Sequence, residues 1–181
     1  MKRRTYDLTV AAVIAAAYVV LTLPFAQFSF GIIQFRLAEA MTVIAVLTPA
    51  AIPGLTLGCL LANLLNPMNL GPVDIIGGTA ATLIAAWLSW KISSGMRMKS
   101  NRSIKELGVA ERIVAISPAV VINAIIVGTY LPYLLLEDAA QTVAFTAIVA
   151  SIGSILLCEA VVVYLIGLPL LLALGRTKIS R

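Results

Sequence analysis

The 181-residue chain has no histidine and only two cysteines, Cys59 and Cys158, which lie far apart in apolar runs. That removes the Cys/His clusters that hold zinc, and with them the usual ligand set for metal-dependent hydrolysis. Buried as small hydrophobes, the two cysteines need no further role. Charge is also scarce: 12% of residues are charged and 61% are hydrophobic, against about 25% and about 45–50% in soluble domains. No GxxxxGK[ST] phosphate loop is present, so the chain does not hydrolyse ATP by that route. No inverted repeat relates the two halves, which weakens a self-sufficient secondary transporter.

What is present is apolar helix. The mean hydropathy is +1.03, and a bilayer crossing takes about 20 mostly apolar residues. The chain therefore reads as an integral membrane protein with a single bundle and no separate soluble domain. Its opening, MKRRTYDLTVAAVIAAAYVVLTL, has the charge order of a signal peptide, but the apolar run is long and further spans follow. It is expected to be a retained first helix.

Basic residues near span ends mark the cytoplasmic side. Lys2, Arg3 and Arg4 precede the first run, Lys91, Arg97, Lys99, Arg102, Lys105 and Arg112 gather in the middle, and Arg176, Lys178 and Arg181 close the chain. If all three groups are inside, an even number of crossings separates each pair. The reading is an all-α bundle of six transmembrane helices with both termini cytoplasmic, at about 6–26, 37–48, 53–65, 72–92, 112–135 and 142–174, with a cytoplasmic loop at about 93–111. Pro49, Pro53 and Gly54 break the second apolar region into two short helices. The net charge of +5 then reflects orientation, and no nucleic-acid partner is expected. Arg36 is the basic residue left outside these groups, at the outer mouth.

Ionisable groups within spans are costly and mark functional sites by default. Glu39, Asp74 and Glu159 fall in this class, with Asn123 at a depth similar to Glu159, so that those two can meet. Gln34 and Arg36 precede Glu39 in GIIQFRLAEA. Bland readings stand beside these. Arg36 and Glu39 can simply pair at i, i+3, Asp74 can serve the helix dipole after Pro72, and Asn123 and Glu159 can be interhelical glue. Phe28, Phe30 and Phe35 cluster in the loop after the first helix, where they can form an apolar lid, and Tyr130 at the outer end of the fifth helix suits either an interfacial belt or ligand stacking. Small residues four apart in the first helix, Ala11 with Ala15 and Ala12 with Ala16, permit close helix approach, for bundle packing or for docking a second protein.

The blocks IQFRLAEA, PAAIPGL, GCLLAN and LGPVDIIGG, in that order, resemble the QueT family, the substrate-binding components of energy-coupling factor (ECF) transporters assigned to queuosine precursors. The resemblance covers roughly residues 5–92. It implies a six-helix, non-enzymatic subunit of the prokaryotic plasma membrane, without cofactor or metal, whose pocket opens outward under a gating loop. It also implies partners: a transmembrane coupling subunit, contacted through an AxxxA motif that AAVIAAA resembles, and two separate ATPase chains.

The expected ligand is a deazaguanine, queuine or the aminomethyl prequeuosine base. Its guanine-like edge offers adjacent N–H donors to a carboxylate, and its carbonyl accepts from an amide or arginine. Glu159 with Asn123, or Glu39 with Gln34 and Arg36, supply that set. Asp74 can pair with the aminomethyl cation, and Phe35 or Tyr130 can stack on the ring. The alternatives are another vitamin or nucleobase as ligand, or a small membrane enzyme using Glu39 and Glu159 as acid and base.

Overall fold

A computed structural model describes residues 3–25, 36–67, 70–135 and 145–177, and the regular structure among them is helical throughout. Helix α1 spans Arg3–Thr22 and runs into a short 3₁₀ turn, Leu23–Phe25. A ten-residue 3₁₀ helix, Leu37–Val46, precedes α2 (Ala51–Leu65), α3 (Pro72–Ser100) and α4 (Val109–Leu135). The last rod is α5 (Phe145–Ala160), a π-helical segment at Val161–Gly167, and α6 (Leu168–Leu174). Among the described residues, four helices are long and apolar enough to cross a membrane: Arg4–Phe25, Pro72–Ser100, Val109–Leu135 and Phe145–Leu174. The two between, Leu37–Val46 and Ala51–Leu65, are shorter apolar helices.

The spans turn their polar groups inward, beside apolar cores, and leave large apolar side chains on the outside. Leu8, Leu157 and Leu165 are about seven-tenths exposed, whereas Glu39 and Asp74 are fully buried. That inversion suits lipid as solvent, because an apolar side chain facing acyl chains loses nothing and a polar one must find partners within the bundle.

The 3₁₀ helix is the central strut: it touches α1, α2, α3, α4, the π segment and α6. Nine of its ten residues, all but Leu37, are buried. At three residues per turn its side chains form three straight columns. Ala40 and Val43 meet Gly167 of the π segment, and Val43 and Val46 join one core with Ile116 and Val163. Ala38, Met41 and Ile44 join another with Ile14, Tyr18 and Leu55. The third column carries Arg36, Glu39 and Thr42. Ten residues at ~2.0 Å each cover about 20 Å, where an α-helix would cover about 15 Å.

Against α1, α2 packs at backbone distance. A β-carbon on Gly54 would lie 2.6 Å from the Ala11 carbonyl oxygen, and one on Gly58 would lie 2.7 Å from Tyr18 Cβ. Small residues on both helices allow this approach, which gains van der Waals contact in the absence of a hydrophobic drive between helices.

The structure shifts several boundaries. The helix expected to end at 92 continues to Ser100, because nothing in ISSGMRMKS breaks it. It ends where Asn101 turns left-handed, at φ 47° and ψ 37°, and returns its N–H to the Arg97 carbonyl. The helix expected from 112 begins at Val109, so the basic connection is shorter than 93–111. The helix expected at 37–48 is 3₁₀ and ends at Val46.

Candidate functional site

Tyr18 of α1, Thr82 of α3 and Asn123 of α4 converge on Glu39. The Tyr18 hydroxyl donates to Glu39 Oε1 at 2.5 Å and Thr82 Oγ1 lies 3.3 Å from the same oxygen. Asn123 Nδ2 donates to Oε2 at 3.3 Å. Both oxygens of this fully buried carboxyl are therefore held by the protein. Thr82 also reaches the Gly78 carbonyl at 3.1 Å and Cys59 Sγ at 3.3 Å, and Asn63 Nδ2 lies 3.6 Å from that sulfur.

A second centre forms at Asp74, in the first turn of α3. Tyr130 donates to its Oδ1 at 2.8 Å and Arg36 Nη2 lies 3.7 Å from the same atom. Two glycines of α3 make the meeting possible. A β-carbon on Gly77 would lie 2.6 Å from Tyr130 Cε1, and one on Gly78 would lie 3.1 Å from Asn63 Nδ2 and 3.3 Å from Arg36 Nη1. The IIGG stretch thus lets an arginine, an amide and a phenol close over one helix face.

Glu159 completes the set from the last rod, one residue short of the Ala160–Val161 junction where the π segment begins. It is 3% exposed and interacts electrostatically with Glu39 and Arg36. A π segment widens the rod and occurs often beside functional sites. Among the described residues, Glu159 Oε2 and Asp74 Oδ2 are buried and lack a hydrogen-bond partner. One guanidinium thus pairs with Asp74 and interacts electrostatically with Glu39 and Glu159, an arrangement suited to a ligand rich in N–H donors or carrying positive charge.

Arg36, Glu39, Asp74, Asn123, Tyr130 and Glu159 accordingly share one region. Arg36 pairs with Asp74 across helices, while Glu39, three residues on, takes its bonds from Tyr18, Thr82 and Asn123. Asn123 bonds Glu39, not Glu159. Gln34, Phe28, Phe30 and Phe35 lie outside the described residues. Ala11 and Ala15 are buried, Ala11 against Gly54 and Ala15 against Gly58, while Ala12 and Ala16, about 100° further round α1, are exposed. Tyr18, Asn63 and Thr82 escaped the sequence reading. Tyr18 was visible as a hydroxyl inside the apolar run AAAYVV, and Asn63 as an amide ending GCLLAN.

The family described as QueT transporter matches residues 8–176 of this chain. A protein named queuosine precursor transporter QueT, from Lactococcus lactis subsp. cremoris (strain MG1363), is 36% identical over 85 residues, which is 46% of this chain and 48% of that protein. The alignment thus spans about half the length of that relative. No solved structure matches the chain.

Proposed function

The chain belongs to the QueT transporter family, and on that premise we propose that it is the substrate-binding subunit of an ATP-driven ECF importer for a queuosine precursor. It is a multi-pass protein of the prokaryotic plasma membrane. The ligand is a deazaguanine, queuine or the aminomethyl prequeuosine base, captured from outside. A coupling subunit and two ATPases, all separate chains, then drive its release inward.

One observation carries the substrate assignment: the buried carboxyl cluster has two oxygens, Asp74 Oδ2 and Glu159 Oε2, without partners among the described residues. A buried acceptor left unpaired costs about 1–3 kcal/mol, more when charged. A ligand that donates to both recovers that energy on binding. Glu159 takes the paired N–H donors of the guanine-like edge, and Asp74 takes the aminomethyl cation. Glu39, with both oxygens bonded by Tyr18, Thr82 and Asn123, instead fixes α1, the 3₁₀ helix, α3 and α4 around the ligand. The same saturation disfavours Glu39 as a proton-transfer group, and with it the enzyme reading. Ala12 and Ala16, on the exposed side of α1, are the pair suited to docking the coupling subunit.

The test is a comparison of binding with transport. The purified chain alone binds radiolabelled prequeuosine base without ATP, and proteoliposomes accumulate it only when the coupling subunit, both ATPases and ATP are added. Binding by the isolated chain that depended on ATP, or concentrative uptake by the chain alone, would contradict the proposal.

A further inference from the structure

A cavity of about 300 Å³ lies at the end of the bundle away from the carboxyl cluster, with Leu47, Ile104 and Leu171 in one part of its lining and Lys105, Arg112 and Arg176 in the other. Helix α4 separates the two regions, with Arg112 near its start and Tyr130 near its end, about 27 Å apart at 1.5 Å per residue. Among the described residues, no carboxylate lines this cavity. The acids nearby are engaged elsewhere: Glu106 accepts from the Ser103 N–H at 2.7 Å, and Glu111 from Arg102 at 2.5 Å and the Gly108 N–H at 2.7 Å. Among the described residues, Lys105, Arg112 and Arg176 form no ion pair.

The site is also built in advance of any ligand. Arg112 Nη2 donates to the Ile104 carbonyl at 3.2 Å and to the Lys105 carbonyl at 3.0 Å, which fixes the guanidinium beneath the 3₁₀ turn Ile104–Glu106. Ile104 and Leu171 are buried in the core beneath it. Three uncompensated cations around one concavity, over an apolar floor and beside the ends of two spans, match an anionic group anchored in the membrane surface.

We propose that this cavity binds the phosphate of an anionic phospholipid headgroup, with Lys105, Arg112 and Arg176 as its cations. Bound there, the lipid bridges the α3–α4 connection to the end of the last rod.

The test uses the purified full chain in detergent micelles, with thermal melting and native mass spectrometry in the presence of phosphatidylglycerol, phosphatidylcholine or inorganic phosphate. Phosphatidylglycerol should raise the melting temperature and stay bound in the gas phase, and phosphatidylcholine should do neither. In the double variant K105Q/R176Q, phosphatidylglycerol affinity should fall roughly 30-fold, from ~1 kcal/mol per basic residue near an anionic surface. The charge-matched control K91Q/K99Q, at exposed positions outside the cavity, should keep it. Arg112 is left intact, since its carbonyl bonds hold the turn. Equal loss in both variants, or no preference for phosphatidylglycerol, would overturn the proposal. Full stabilisation by inorganic phosphate alone would replace the lipid with a soluble phosphate. Unchanged lipid binding in K105Q/R176Q, with assembly onto the coupling subunit lost, would replace it with an acidic protein surface.

Discussion

Replacing Glu39 and Glu159 separately by glutamine distinguishes the carboxyl that holds the bundle from the one that reads the ligand. Glu39 accepts from Tyr18 at 2.5 Å and from Thr82 and Asn123 at 3.3 Å each, so three helices are tied to the 3₁₀ strut through one carboxyl. In Glu39→Gln one oxygen remains to accept from Tyr18, but the new NH₂ faces the Asn123 Nδ2 donor. Interhelical hydrogen bonds in membranes are each worth about 0.6 kcal/mol and at most about 1.7 kcal/mol. Losing the Asn123 bond and leaving its buried donor unpaired, at about 1–3 kcal/mol, predicts a loss of about 2 kcal/mol, or about 4–8 °C in melting temperature for a chain of this size. Glu159→Gln removes no bond at Oε2, which has no partner among the described residues, so its melting temperature should stay within about 2 °C of wild type. Its deazaguanine affinity should fall about 100-fold, because two charge-assisted hydrogen bonds at about 1.5–3 kcal/mol each become one neutral bond and one donor clash. The assay is paired: melting by tryptophan fluorescence without ligand, and equilibrium binding by calorimetry. A Glu39→Gln chain that melts normally and loses only binding, beside a Glu159→Gln chain that binds normally, would refute the assignment.

Further outcomes follow from the same geometry. Tyr130→Phe removes the 2.8 Å bond to Asp74 Oδ1 and should weaken binding of the aminomethyl base by about tenfold, since one hydrogen bond to a charged group is worth about 1.5–3 kcal/mol; calorimetry against a ligand lacking the aminomethyl group should show a smaller change. Gly58→Ala places a methyl 2.7 Å from Tyr18 Cβ and should destabilise by about 1–3 kcal/mol through overpacking, with ligand affinity falling as Tyr18 moves off Glu39. Gly153→Ala, where nothing lies within 4 Å of the new methyl, should instead stabilise by about 0.5–1 kcal/mol, and thermal melts of the two variants compare them directly. Ala12→Leu and Ala16→Leu, at exposed positions of α1, should leave substrate binding intact and abolish co-purification with the coupling subunit, whereas Ala11→Leu should fail in the melt itself.

The membrane class, the break at Pro49 and the inward placing of Glu39, Asp74, Asn123 and Glu159 were legible in the sequence, whereas Pro53 falls inside the helix Ala51–Leu65 and Arg36, expected at the outer mouth, is buried. Polar groups within apolar runs are conspicuous, and lipid leaves them nowhere to face but inward. The pairing among them was not legible. Asn123 and Glu159 match in depth along their helices, yet Asn123 points to Glu39, because depth fixes height and not the angle around the rod. The 3₁₀ geometry of Leu37–Val46 was equally hidden. Nine of its ten residues are buried, so no solvent-facing stripe sets its period, and the polar positions Arg36, Glu39 and Thr42 are too few to separate three residues per turn from 3.6. The π segment after Glu159 was hidden in the same way: VVVYLIG is apolar except for the Tyr164 hydroxyl, and it is the contact of Gly167 with Ala40 and Val43 that accompanies the wider turn. Tyr18 was missed because an aromatic in a span reads as packing until its hydroxyl is seen to have a partner.

On the proposed function, this buried carboxyl cluster recognises a deazaguanine without an energy source of its own. That recognition is tested most directly by melting the purified chain, without ATP, against queuine, prequeuosine base, guanine, riboflavin, thiamine and biotin. One or both deazaguanines should stabilise it strongly, guanine more weakly, and the three vitamins not at all. Strong stabilisation by a vitamin, with none by either deazaguanine, would contradict it.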